Sequence, residues 1–374
     1  MAGLSICRVT HALYPDAVGG HAIFCHELSL RQADLGHRVE VLTTRRGHQP
    51  VHESVKKGYG ITRLDRVWMP WDSLGMQNPV IPSLYCAVSK PNYDLVDAHA
   101  HLFWTTALSV KAAVDIGRPV VTTVHGFLAL RDWLTNLSQR AYLWSVGSWA
   151  LRNSSSVICV TESDAREVAS VGVRRRDIRI IPTAVDTAMF TPRGPKRETI
   201  VWLGRLVPEK GLETLLEAVA TLRKKKSVPV LIVGDGPLRN RLIARARALG
   251  IMDLVTFRFR ADRFEVARML SESRIFVLPS LKEGLPMILL EAMASANTVV
   301  ASNLPPIVDA LGDAGLYFTP GRSSDLASAL SRALDDRESG REKGRLAHKI
   351  VQERFSWRVV LPLLDDLYKE LAAR

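Results

Sequence analysis

Thr199-Ile-Val-Trp-Leu-Gly-Arg-Leu-Val-Pro-Glu-Lys-Gly211 decides the architecture. A short strand-like run ends at Leu203, a Gly-bounded turn follows, and a helical pattern extends from Leu212 to Lys225. The unit recurs in both directions along the chain. Downstream lie Val228-Pro-Val-Leu-Ile-Val233, Leu254-Val-Thr-Phe257, Ile275-Phe-Val-Leu278 and Thr298-Val-Val-Ala301, with a further helical pattern from Leu238 to Leu249. Upstream lie Leu4 to Val9, Arg38 to Thr43, Val120 to Val124, Ser156 to Thr161 and Arg179 to Ile181. Strands alternating with helices predict parallel sheets covered by helices. The polar, Pro/Gly-bearing stretch Thr187-Ala-Met-Phe-Thr-Pro-Arg-Gly-Pro-Lys-Arg197 divides the two series and reads as a hinge linker. A chain of 374 residues also exceeds the usual size of a single core. We therefore expect an α/β protein of two Rossmann-like domains facing a cleft, residues 1–186 and 198–355, joined by a linker at 187–197.

In open parallel sheets ligands bind beyond the carboxyl ends of the strands, so the loops there are the places to look for chemistry. After Leu203 the turn carries Arg205 and Lys210, a fork of donors and a point charge that together suit a diphosphate without a metal. Gly234-Asp-Gly236 follows Val233 and is first a turn signal. Gly19-Gly20 precedes His21 and could bring a helix N-terminus against phosphate, although a Gly pair by itself means only a turn. His125 follows an apolar strand, and either packs in the core or points into the cleft. His99 and His101 likewise line the cleft or cap a strand.

The loop after Leu278 holds the most informative pair, Glu283 and Glu291, in Ser280-Leu-Lys-Glu-Gly-Leu-Pro-Met-Ile-Leu-Leu-Glu-Ala-Met-Ala294. Pro286 suits a first helical position and Gly284 lets backbone approach a ligand. A helix starting near Pro286 puts Glu283 beside its free N–H groups and Glu291 in its second turn, about 8 Å further along. Ionised carboxylates only accept hydrogen bonds and so bind hydroxyl pairs, while the helix N-terminus favours an anion. A nucleotide sugar offers both groups. Glu291 also interrupts an apolar stretch, and a buried carboxylate normally has a partner.

Composition narrows the class. The hydrophobic content of 47% with mixed charge is that of a globular protein. Cys7, Cys25, Cys86 and Cys159 have no zinc-like or disulfide-framework spacing, which predicts a reducing cytoplasm. Neither a signal sequence nor a run of about 18 apolar residues is found, so a secreted or membrane-spanning chain is not expected. The net charge of +12 is spread over both halves and fits nucleic acid, an anionic membrane surface or polyphosphorylated substrates. Arg174-Arg-Arg176 and Lys224-Lys-Lys226 are not interleaved with aromatics, and read as solvated surface rather than a nucleic-acid site. From Leu128 to Ala150 the chain combines Trp133, Tyr142, Trp144 and Trp149 with Arg131 and Arg140, with Arg152 just beyond. This composition suits a membrane interface or helices packed under the cleft mouth. No spacing predicts a metal site, and there is no Asp-x-Asp for metal-dependent diphosphate binding.

These loops resemble those of the GT-B glycosyltransferases of family 4, which are retaining and use nucleotide sugars. The resemblance runs through Gly19-Gly20, Leu28 to Thr43, His125-Gly126, Gly204-Arg205, Glu209-Lys-Gly211, Val233-Gly-Asp-Gly-Pro237 and the Glu283-x7-Glu291 element. It implies that Arg205 and Lys210 hold the donor diphosphate with the Gly20 backbone, and that Glu291 binds the ribose diol. Glu283 and the N–H groups from Gly284 through Leu285 and Pro286 to Met287 would hold the donor sugar, and His125 would approach that sugar. Backbone from Arg258 to Arg260 would meet the base. A helix returning to the first domain is implied at 356–374. The family's usual Pro-Asn-Gly-Val-Asp element reads Pro182-Thr-Ala-Val-Asp186 here, so a contact made by that asparagine is missing.

The resulting expectation is a metal-independent, cofactor-free hexosyltransferase that retains anomeric configuration and acts on a glycan or lipid-linked acceptor. It would be cytoplasmic and peripheral at the inner face of the membrane. A nucleotide-sugar epimerase of the same fold, or an inactive sugar-nucleotide-binding scaffold, is the alternative.

Overall fold

The computed structural model describes residues 3–374 except 18, 56–58, 68, 70–77 and 127–132. The chain forms two compact units, one running to Thr183 and including Val360–Arg374, the other Ala184–Val359.

The first unit is built on an eight-stranded sheet: β1 (Ser5–Val9), β2 (Arg38–Thr44), β3 (His52–Val55), β4 (Tyr59–Leu64), β5 (Leu95–His99), β6 (Val120–Val124), β7 (Ser156–Cys159) and β8 (Ile178–Ile180). The spatial order is β3-β4-β2-β1-β5-β6-β7-β8. All neighbours pair in parallel except β3, which runs antiparallel to β4 with Glu53 opposite Ile61. The sequence reading missed this hairpin and its departure from a purely parallel sheet. His52-Glu-Ser-Val55 is mostly polar and exposed, as suits an edge strand. β7 ends earlier than the expected Thr161 because Thr161 caps the helix Glu162–Ser170, its hydroxyl accepting from the Asp164 N–H at 3.0 Å.

The second unit holds a six-stranded, all-parallel sheet of β9 (Arg197–Leu203), β10 (Val230–Val233), β11 (Val255–Arg258), β12 (Ser273–Leu278), β13 (Thr298–Ser302) and β14 (Gly315–Phe318). Its order is β11-β10-β9-β12-β13-β14. Val201 stands beside Leu231 on one side and Phe276 on the other. With helices on both faces the central strands have no polar side, so Ile200, Val201 and Trp202 are fully buried. Helix Leu212–Arg223 lays Leu212, Leu215, Leu216, Val219 and Leu222 into the same core, the spacing of a buried helical stripe.

In both sheets the strand order reverses once, between β1 and β5 and between β9 and β12. Those reversals open crevices at the carboxyl ends of the neighbouring strands. The last helix, Trp357–Ala372, is tied to the first unit by Asp365, whose Oδ1 lies 2.7 Å from His37 Nε2. Arg174 to Arg176 are exposed, as are Lys224 and Lys225, while Lys226 pairs with Asp335. Among the described residues no helix is long and apolar enough to cross a membrane.

Candidate active site

At the reversal in the second unit the loops after β9 and β12 lie side by side. Gly211 has φ 64°, and a Cβ there would stand 1.9 Å from the Pro279 carbonyl oxygen, so only glycine lets the two backbones approach this closely. The Leu281 N–H donates to the Glu209 carbonyl at 2.8 Å and locks the contact. On the other side Gly234 plays the same part, its missing Cβ leaving room for the Gly204 carbonyl. Leu206 N–H donates to Asp235 at 2.9 Å. The Gly234-Asp-Gly236 turn is thus a structural support for the loop carrying Arg205 and Lys210.

That support brings together the charges picked out in the sequence. Lys210 Nζ donates to Glu283 Oε1 at 2.5 Å, and the buried Ser280 hydroxyl donates to the same oxygen at 2.7 Å. Arg205 is exposed on the same loop. Gly284 and Leu285 follow, and Pro286 is the N-cap of helix Met287–Ala294 and makes no side-chain cap hydrogen bond. The helix starts one residue after the first helical position that Pro286 predicted.

Glu291 sits in the second turn of that helix, 4% exposed. Its partner is Arg263, whose Nη1 donates to Oε1 at 2.6 Å. The Arg263 guanidinium also lies 5.0 Å over the ring of Phe190, a fully buried side chain from the stretch read as a linker. Two more of its donors, Nε and Nη2, are buried without a hydrogen-bond partner among the described residues. Arg263 escaped the sequence reading. The readable signal was the capping box Asp262-x-x-Glu265 that starts its helix, in which Asp262 accepts from the Glu265 N–H at 2.8 Å. Arg260 is exposed, and its carbonyl accepts from Arg258 Nε at 3.1 Å.

In the first unit four histidines collect at the carboxyl ends of β1, β5 and β6, around that sheet's own reversal. His11 follows β1, His99 closes β5, His125 follows β6, and His21 lies in the first turn of helix Gly20–Asp34. His11 stacks on Phe103 at 3.6 Å between ring centroids and faces His21 at 4.5 Å. His99 and His101 are both about 1% exposed, so they are interior residues rather than lining side chains. His125 is half-buried, and its Nε2 lies 3.0 Å from His99 Nδ1. His99 Nε2 in turn meets Asp97 Oδ2 at 2.9 Å, and the same oxygen accepts from Arg8 Nε at 2.8 Å. Gly19 caps the helix with open space where a Cβ would stand. In the departing element, Asp186 Oδ1 accepts from the N–H groups of Ala188 at 2.9 Å and Met189 at 3.0 Å.

Burial opposes charge on His99, but the adjoining Asp97 carboxylate outweighs it and holds the imidazolium up to about 10. Burial also opposes charge on Asp97, whose ionised form His99 and Arg8 keep well below its ordinary range. His125 is driven well below its ordinary value by burial and then by the charge on His99. Because His99 is raised above its unfolded value of 6.5, its contribution to stability is complete below that pH and is lost as pH rises through about 10. Asp97 is depressed, so its contribution is present above 3.8 and lost as pH falls below it. Thermal melts should therefore show a decline as pH rises from near 6.5 towards about 10, while His125, held neutral by the fold, adds a separate loss as pH falls below 6.5. The alkaline decline should be smaller in His99→Gln, and an equal decline in the variant would contradict this assignment.

Of the aromatic segment, Leu128, Arg131 and the side chain of Trp133 lie outside the described residues. Trp144 is 65% exposed. Tyr142 donates to the Phe103 carbonyl at 2.9 Å, and Trp149 packs against the core of the first unit.

Known families account for both halves of this arrangement. Residues 18–189 match the Glycosyltransferase Family 4 model, and residues 189–350 match that described as glycosyl transferases group 1. The chain is a GT-B glycosyltransferase of group 1. It is 28% identical to an MMP alpha-(1->4)-mannosyltransferase from Mycolicibacterium hassiacum, over 95% of this chain and 96% of that one. It is 27% identical to a glycogen synthase from Mycobacterium tuberculosis, over 99% and 95% of the two chains. The fold matches sucrose-phosphate synthase from Thermosynechococcus elongatus with a TM-score of 0.85 at 22% identity, covering 99% of each chain. The glycosyltransferase is thus a hexosyltransferase-type enzyme that moves a sugar from a nucleotide sugar.

Proposed function

We propose that this glycosyltransferase transfers its sugar with retention of anomeric configuration, without a metal or other cofactor, to a glycan or lipid-linked acceptor. The observation that carries the reading is the Lys210–Glu283 contact beside the uncapped N-terminus of helix Met287–Ala294. In a nucleoside diphosphate sugar the anomeric phosphate and the sugar hydroxyls are neighbours, as are this ammonium and this carboxylate. Lys210 and Arg205 hold the diphosphate. Glu283 and the backbone from Gly284 to Met287 take the sugar hydroxyls, and Glu291, oriented by Arg263, takes the ribose diol. His125 is assigned to the donor sugar, Gly20 to the diphosphate, and the backbone at Arg260 to the base.

Charge developing on the departing diphosphate is stabilised by preorganised cations and N–H dipoles. The leaving phosphate itself then assists deprotonation of the acceptor at the same face of the sugar, and no protein nucleophile is needed. The aromatic stretch around Trp144, with the basic surface, supports a peripheral contact with an anionic membrane face and hence a lipid-linked acceptor.

Proton NMR of the first product formed in the presence of chelator tests the stereochemistry. The reading predicts the same anomeric configuration as the donor, and inversion overturns it. Glu291→Ala removes a charge-assisted contact of about 1.5–3 kcal/mol, which should weaken donor binding in calorimetry about 10- to 150-fold. Unchanged donor affinity would remove Glu291 from the ribose.

A further inference from the structure

We propose that Asp97 and His99 are positioning residues for the transfer reaction, fixing His125 from behind as a neutral hydrogen-bond donor through the series Arg8–Asp97–His99–His125. The inference rests on the reading that His125 meets the donor sugar.

The contacts form one continuous series. A carboxylate only accepts, so His99 Nε2, 2.9 Å from Asp97 Oδ2, carries a proton. Asp97 is itself immobilised. Its Oδ2 also takes Arg8 Nε at 2.8 Å, and the rest of that guanidinium is tied to Ser29 and Gln32, each at 2.5 Å. Every one of these side chains is fully buried. The Asp97 carboxylate favours the doubly protonated His99, and in that form its Nδ1–H faces His125 Nε2, 3.0 Å away. The Nε2 lone pair of His125 is then engaged, and its remaining proton sits on Nδ1. Such an imidazole can donate to a sugar hydroxyl and cannot act as a base. The balance of charges agrees, since Asp97 favours charge on His99 and His99 disfavours it on His125.

The terminal helix closes the back of the series. Tyr368 is fully buried against Asp97 and Arg8. Burial holds its phenol well above the ordinary range, and the adjoining Asp97 carboxylate adds to this. Phe24 packs edge-on against His99 and His125, at 6.1 and 5.7 Å between centroids.

Nitrogen-15 NMR of the histidine-labelled wild-type enzyme reads the protonation directly and requires no variant. Between pH 6 and 8 the expected spectrum shows His99 protonated on both nitrogens and His125 neutral with its proton on Nδ1. A proton on His125 Nε2, or an imidazolium there, overturns the proposal. In kinetics His99→Gln should lower kcat by about 10- to 100-fold, the usual scale for a residue that orients a functional side chain, with donor KM changed far less. Tyr368→Phe, which keeps the ring, should preserve the His125 tautomer and most of kcat. If His125→Ala leaves kcat and KM unchanged, the donor-sugar role of His125 fails. If His125→Ala is impaired while His99→Gln keeps full kcat, only the positioning role fails.

Discussion

Lys210→Ala should lower kcat/KM for the donor by about 10²- to 10³-fold, the range for removing one preorganised stabiliser of developing negative charge. The size follows from where the ammonium is held. Its loop is strapped on one side through Leu281 and Glu209, and on the other through Leu206 and Asp235. A charge fixed before the reaction begins needs little reorganisation when the diphosphate departs. The variant also strands Glu283, whose side chain is 9% exposed and would keep only the Ser280 hydroxyl at 2.7 Å. Steady-state kinetics at saturating acceptor check the effect, and a loss below about threefold would place Lys210 outside the chemistry.

Asp97→Asn should be the most destabilising single change near the histidine cluster, costing about 3–5 kcal/mol, because it leaves the fully buried Arg8 guanidinium without its countercharge. The substitution is nearly isosteric, so the loss reports charge rather than packing. Urea unfolding of the full chain measures it. Arg8→Met made together with Asp97→Asn should cost less than the sum of the two single changes, since the second removes the charge stranded by the first. Additive costs would show that the pair is not coupled.

Alternation of strand and helix made both sheets legible, because parallel strands covered on both faces must be short apolar runs. The same rule put Arg205, Lys210 and Glu283 in the loops at strand ends, with Glu291 in the helix that follows. The start of helix Met287–Ala294 was legible to within one residue, since Pro286 stands as its N-cap. What stayed hidden were partners supplied by tertiary structure. Arg263 lies 28 positions before Glu291, and Arg8 lies 89 positions before Asp97, separations that no local pattern encodes. His99 and His101 were open between lining and capping roles. Burial at the end of β5 settled both as interior residues, and the Asp97 contact favours charge on His99. The β3–β4 hairpin was missed because an exposed edge strand carries no apolar run.

Calorimetric titration of the wild-type enzyme with UDP, GDP and ADP sugars in excess chelator tests the central claim most directly, because the cradle of Arg205, Lys210, Glu283 and Glu291 is assigned to the donor without a metal. The account predicts saturable binding of one donor, unchanged when chelator is replaced by magnesium or manganese, and weakened in the Lys210→Ala protein. Binding that appears only with added metal, or that is indifferent to Lys210, would contradict it.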